Sequence, residues 1–254
     1  MGIGYIVGCL VSIMLWRVDR QNIFYKINTF LEKILRNKLF IKILYIFIII
    51  SICLLISQIR YLELNNFITA FLVIDISNTE KKNLKQKEKF KFYDSISIIS
   101  RAVVCGFIAP LLIIILLGNI YGIAYMLIYN ISLVYEELDG FKILFTISTI
   151  FPALIVEILL YIVYLCRNKK SKIDFKGDYL INCFVRPLLN VDILGAYIES
   201  VNFYYLYSSK NTDYLKSYGE YTKKIDEISV KDYLSIAYGI CLIFFVIFYI
   251  MIKI

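Results

Sequence analysis

Charged and amide side chains are scarce in the apolar stretches of this sequence, so those that interrupt them are the first places to look for chemistry. Glu157 lies inside the run 141–166, Asn119 and Asn130 lie inside 101–130, and Glu136, Glu137 and Asp139 form a short acidic stretch between the two. Asp174, Asp178 and Asp192 follow in a more polar region. Carboxylates gathered in a wet cavity can hold Mg²⁺ or exchange protons with a substrate. An ionisable residue at membrane depth, as Glu157 would be, either serves a function or pairs with a polar neighbour in a protein interior. Other chemistries are closed: there is no histidine, which removes imidazole bases, His-containing nucleophile triads and His-bearing metal sites. The six cysteines, Cys9, Cys53, Cys105, Cys166, Cys183 and Cys241, are scattered mostly through apolar runs with no CxxC pair. They read as small buried hydrophobes, not as a disulfide framework or a metal cage.

The elements that must position these residues are membrane helices. A chain of 254 residues that is 60% hydrophobic, with a mean hydropathy of +0.72, has no way to hide that surface in water. The fold class expected is all-α: a polytopic helical membrane protein in the cell membrane. No repeat or linker divides the chain, which reads as one integral membrane domain over 1–254. The apolar run 3–16 precedes its charges, the reverse of a signal peptide's order, and reads as a retained, shallow first helix. Phe24, Ile27, Phe30, Leu31, Ile34 and Leu35 recur at helical spacing, which predicts an interfacial amphipathic helix near 23–36. Residues 39–57 form a span long enough for roughly 30 Å of hydrocarbon. A weaker span covers 67–76, and further spans cover 141–166 and 233–252.

The stretch RAVVCGFIAPLLIIILLGNIYGIAYMLIYN at 101–130 is almost wholly apolar yet contains Pro110 and Gly118-Asn119. It predicts a broken or re-entrant helix around Gly118-Asn119, since lipid tolerates a backbone break only where protein or a wet cavity satisfies the freed groups. Of the 28 Lys and Arg residues, all but Arg60, Lys142 and Lys253 fall in 17–42, 77–101, 167–186 and 207–232. Basic segments belong on the cytoplasmic side. That predicts about five to six spans, both termini outside, and a polar, cytoplasmic, helical region over 167–232 in which only 188–207 is apolar enough to lie in or on the membrane. The net charge of +8 is the charge of such flanks, and nucleic acid is not an expected partner.

GFIAPLLIIILLGNIYGIAYMLIYN at 106–130 resembles the segment of the CobD/CbiB membrane enzymes in which a "DG-x-x-AP-L" run leads into an "LLGG-x-PG" turn and an "AY…N" helix. Gly106, Ala109-Pro110, Leu116-Leu117-Gly118, Gly122 and Asn130 carry the match. INTFLEKILR at 27–36 is similar to the family's "LIS-x-LEK-x-LR", IFPAL at 150–154 to its "N-x-IPAR-L", and INCFVRP at 181–187 to the segment with "SPN-x-G-x-P". The family joins adenosylcobyric acid to aminopropanol or its phosphate, using ATP and Mg²⁺. The resemblance therefore implies a corrinoid as substrate or ligand, ATP and Mg as cofactors, and an ATP-dependent amide-forming ligase if the chain is active.

The glycine and proline skeleton of the family is kept, while its charged motifs are replaced. The "EN" pair falls at Arg101-Ala102, and family acids fall at Cys105, Leu133, Phe145 and Thr146. Asn130, Asn182, Arg186 and Arg101 remain as substrate-binding candidates. Glu137, Asp139 and Asp178 are the acids left as catalytic candidates, and no residue set stands out as metal ligands. A non-catalytic accessory or regulatory paralogue on the same scaffold is the alternative, and a small-molecule transporter a second one. The expected partners are the lipid bilayer, a corrinoid, and further copies or other membrane subunits in a homo- or hetero-oligomer.

Overall fold

The computed structural model describes residues 2–15, 20–35, 37–76, 93–134, 139–168, 171–208, 213–219 and 226–253. In chain order these form α1 (Ile3–Met14), α2 (Arg20–Ile34), α3 (Lys38–Ser57), α4 (Leu62–Val73), α5 (Tyr93–Val103), α6 (Ala109–Leu117), α7 (Asn119–Val134), α8 (Asp139–Asn168), α9 (Tyr179–Val185), α10 (Pro187–Ile198), β1 (Phe203–Ser208), β2 (Asp213–Tyr218) and α11 (Glu227–Lys253). A π-helical turn, Val104–Ile108, joins α5 to α6. Four helical runs, Leu39–Ser57, Ser95–Leu117, Gly140–Asn168 and Glu227–Lys253, are long and apolar enough to cross a membrane. Ile3–Met14, Leu62–Val73, Asn119–Val134 and Pro187–Ile198 are apolar but shorter. The chain is thus a helical membrane protein. It divides into two compact units: one contains Met1–Asn78, Cys105–Ser148 and Phe244–Ile254, the other Thr79–Val104 and Thr149–Ile243.

The first unit is built on close backbone contacts. Gly4 and Gly8, a small-xxx-small pair, let α1 lie directly on α4: a Cβ at Gly4 would stand 2.2 Å from the carbonyl oxygen of Glu63, and one at Gly8 2.4 Å from that of Phe67. The Glu63 carboxylate accepts from the Gly2 and Gly4 N–H groups at 2.9 and 2.7 Å, satisfying the open N-terminus of α1. These bonds hold the Glu63 carboxyl below the usual carboxylate range. At the other end of α4, Arg20 donates to the carbonyls of Phe71, Leu72 and Ile74 and to Ser12 Oγ, which itself donates to Ile74 O. The last carbonyls of a helix are thereby capped by a cation.

Pro110 explains the π turn. Proline has no N–H to give the carbonyl four residues earlier, and its ring crowds that carbonyl. The widened turn relieves the crowding, and the Gly106 carbonyl accepts instead from Asp75 N at 2.9 Å. A side chain at Gly106 would lie 2.1 Å from the Asp75 carbonyl oxygen, so only glycine admits this approach. The break expected at Gly118-Asn119 is present: Gly118 has φ +96, which ends α6, and α7 folds back so that Gly122 meets Ile114 and the Pro110 carbonyl. Asn119 anchors the turn, donating to Asn65 Oδ1 and Asn66 Oδ1 at 2.8 and 3.0 Å and accepting from the Tyr5 hydroxyl at 2.6 Å. Toward the other end of α7, Ile41, Tyr45, Ile131 and Phe141 form a buried core, packed by Leu31, Leu35 and Ile128.

In the second unit α10 is buried along nearly its whole length, against α5, α9 and the β-strands. Gly195 makes room for Tyr233 of α11, whose ring would stand 2.7 Å from a Cβ there. The strands pair antiparallel, from Phe203↔Tyr218 to Ser208↔Asp213. This hairpin adds β structure to a region expected to be helical. Its sequences, FYYLYS and DYLKSY, are rich in aromatics, the residue type that a pleated, half-buried surface favours.

Candidate functional site

Polar groups buried without enough partners concentrate in the second unit, around α9. Tyr179, Asn182 and Cys183 stand at positions i, i+3 and i+4 of this short helix and so share one face. The Tyr179 hydroxyl donates to Glu157 Oε2 of α8 at 2.9 Å. Asn190 of α10 donates through Nδ2 to the Tyr179 carbonyl at 3.1 Å and to Cys183 Sγ at 3.2 Å. Asn182 and Asn190 are fully buried, and Glu157 nearly so. Yet Glu157 Oε1, both side-chain atoms of Asn182 and Asn190 Oδ1 have no hydrogen-bond partner in the protein. A buried polar atom left unpaired costs about 1–3 kcal/mol, and four such atoms sit on three neighbouring residues. Together they present one donor and three acceptors, the pattern that receives a carboxamide or hydroxyl-rich group.

The hairpin pins both ends of α9. At its N-cap position, Asp178 pairs with Lys216 Nζ and accepts from the Tyr218 hydroxyl at 3.3 Å. Tyr207 and Tyr218 share a hydrogen bond of 2.9 Å, and burial pushes the Tyr218 phenol up. At the C-terminal end, the Arg186 guanidinium lies 4.7 Å from the Tyr207 ring centroid and 5.8 Å from that of Tyr205, a cation–π arrangement. The loop before α9 is held by Asp174. Its Oδ1 accepts from the Lys176 N–H, which with the Lys176 ammonium keeps its carboxyl below the ordinary range.

A second polar cluster joins α5, α10 and α11. Ser97 Oγ donates to Asp192 Oδ2 at 2.8 Å, and Ser100 Oγ lies 3.0 Å from the Tyr233 hydroxyl. Arg167 ties the same unit together, bonding Glu199 at 2.9 Å and Asp232 at 2.7 Å. Asp192 Oδ1 has no hydrogen-bond partner, while the other contacts match donor to acceptor and tie the helices to one another.

Of the residues expected at a site, Asn182 is on the face of α9 that carries Tyr179 and Cys183, with Asp178 and Arg186 at the ends of its helix. Asp178 is engaged by a lysine and a tyrosine and is not a free acid. Arg101 is exposed on α5, within electrostatic range of Asp192. Asn130 belongs to the first unit, where its Nδ2 bonds the carbonyl and sulfur of Met126 one turn earlier. Glu137 lies outside the described residues, as does the side chain of Asp139. Asn190, Tyr179 and Cys183 join the cluster without a motif of their own in the sequence, although the i, i+3, i+4 spacing of the last two with Asn182 is visible in DYLINCF.

The residues present do not fit Mg²⁺. Glu157 contributes a single carboxylate, Asp178 and Glu199 are already paired with cations, and no three metal-binding side chains converge among the described residues. Comparison with family models, with curated proteins and with solved structures gave no match.

Proposed function

We propose that this chain is a multi-pass protein of the cell membrane on a corrinoid amide-ligase type of scaffold, and that it binds a corrinoid or similar amide-rich ligand without completing the ligase reaction by itself. The four long apolar helices and the α6–α7 reversal at Gly118 support a topology of about five to six crossings with a re-entrant α6–α7 pair. The observation that carries the binding reading is the set of unpaired, buried polar atoms on Glu157, Asn182 and Asn190. Adenosylcobyric acid is ringed by primary carboxamides, each of which offers both a donor and acceptors to such a set. The silent reading rests on what stands at the positions resembling the family's acids. Cys105, Leu133, Phe145 and Thr146 cannot hold Mg²⁺ as carboxylates do, and the developing charge of an acyl phosphate needs that shielding.

The test uses the purified full-length chain in detergent. Adenosylcobyric acid, followed by its visible absorbance in equilibrium dialysis, is expected to bind saturably. No amide product is expected with aminopropanol phosphate and MgATP. Turnover by the chain alone would refute the silent reading, and absence of corrinoid binding would refute the ligand.

A further inference from the structure

The short helix α9 is amphipathic in the sense opposite to a helix in water. Its polar residues Asn182 and Cys183 face inward and are 0 and 5% exposed, whereas Leu180, Ile181, Phe184 and Val185 face outward at 70, 60, 65 and 58%. An element surrounded by water turns its apolar stripe to the core and its polar face out. Lipid reverses the preference, because there the polar groups must be satisfied by protein and the apolar groups need no cover. The same unit repeats the pattern on the hairpin. The cross-strand pair Leu206↔Leu215 stands outward, each residue 62% exposed, while Tyr207 and Tyr218 are buried on the other face. Tyr179 and Tyr214, 37 and 51% exposed in the same unit, are of the type that gathers where hydrocarbon meets headgroups. Lys176 and Arg186 flank α9 in sequence and supply cations for anionic headgroups.

We infer that α9, with the outward leucines of the β-hairpin, is embedded in the lipid interface as a monotopic element, so that neither α9 nor the two strands are bathed by water on every side. The occupant of the exposed apolar face is the acyl–headgroup boundary of the bilayer. α2 has the same design in the first unit: Ile23, Ile27, Phe30 and Ile34 are exposed along one stripe while Asn28 is buried. A helix of seven residues is too short to cross a bilayer, which leaves insertion parallel to the surface.

Nitroxide labels report this directly. In a background with Cys53→Ser and Cys166→Ser, the other four cysteines being buried, single cysteines are placed at Leu180, Phe184 and Leu206, with Lys172→Cys as the aqueous control. The full chain is reconstituted into phosphatidylethanolamine–phosphatidylglycerol vesicles, and power saturation is compared with oxygen and with a water-soluble nickel chelate. Oxygen is expected to dominate relaxation at 180, 184 and 206, and nickel at 172. Nickel dominating at 180 and 184 would overturn the inference in favour of an aqueous face. Shielding from both reagents with spin–spin broadening would overturn it in favour of a second copy covering the face.

Discussion

Asn119 in the first unit and Asn182 in the second are used in opposite ways. In the first, Asn119 is saturated: it bonds Asn65, Asn66 and Tyr5 across α1, α4 and α7, at a turn that only Gly118 can make. In the second, Asn182 is fully buried, and neither of its side-chain atoms is bonded. The first unit also keeps its helices in place by backbone contacts at Gly4, Gly8 and Gly106 and leaves Asn130 Oδ1 without a partner, whereas the second gathers four unpaired atoms on Glu157, Asn182 and Asn190. Saturated polar groups and close glycines read as stabilising; unpaired buried ones read as kept for a ligand. The difference separates scaffold from site.

The strongest way to break the scaffold side is Gly106→Val. The new side chain would begin 2.1 Å from the Asp75 carbonyl, and forcing the segments apart is expected to destabilise the protein by about 3 kcal/mol, read in a denaturation titration in detergent. In the second unit, Arg167→Met removes the cation that bonds the buried Glu199 carboxylate at 2.9 Å. Because Arg167 is partly exposed, a loss of about 2 kcal/mol is expected, lower than for a fully buried pair. The double variant Arg167→Met/Glu199→Leu should recover more than half of it, since no charge is then stranded.

Much of the scaffold is legible in the amino-acid sequence. Pro110 and the Gly118-Asn119 pair mark the broken helix, the 39–57 and 233–252 runs mark long helices, and the 3.6-residue stripe marks α2. The Gly4-xxx-Gly8 contact is also present as a pattern but is short enough to occur by chance in an apolar run. The site is less legible. Asn182 stands out by resemblance, but its partners Glu157 and Asn190 lie 25 residues before it and eight after it in sequence, and only the packing of α8, α9 and α10 brings them together. The β-hairpin escapes a reading by composition because FYYLYS continues an apolar run without a break.

A smaller effect tests the α1 N-terminus. Glu63 has its carboxyl held below the usual range by the Gly2 and Gly4 N–H groups. A depressed folded value means its contribution is present above the ordinary carboxylate pKa and fades as pH falls through the folded one. The Tm difference between wild type and Glu63→Gln should therefore be constant near neutrality and close below a pH of about 4.

The comparison is tested most directly by measuring Tm and adenosylcobyric acid affinity side by side for Asn119→Leu and Asn182→Leu. Asn119→Leu is expected to lower Tm, because it removes the donor to Asn65 and Asn66 and the acceptor for the Tyr5 hydroxyl, while the protein that remains folded keeps wild-type affinity. Asn182→Leu removes two unpaired atoms, so its stability should stay within about 1 kcal/mol of wild type, on the stabilising side. Its affinity should fall about tenfold or more, the loss of roughly 1.4 kcal/mol that one or two hydrogen bonds to ligand represent. Unchanged affinity in Asn182→Leu, or a fall in its Tm as large as that of Asn119→Leu, would contradict the assignment of α9 and its polar neighbours as the site.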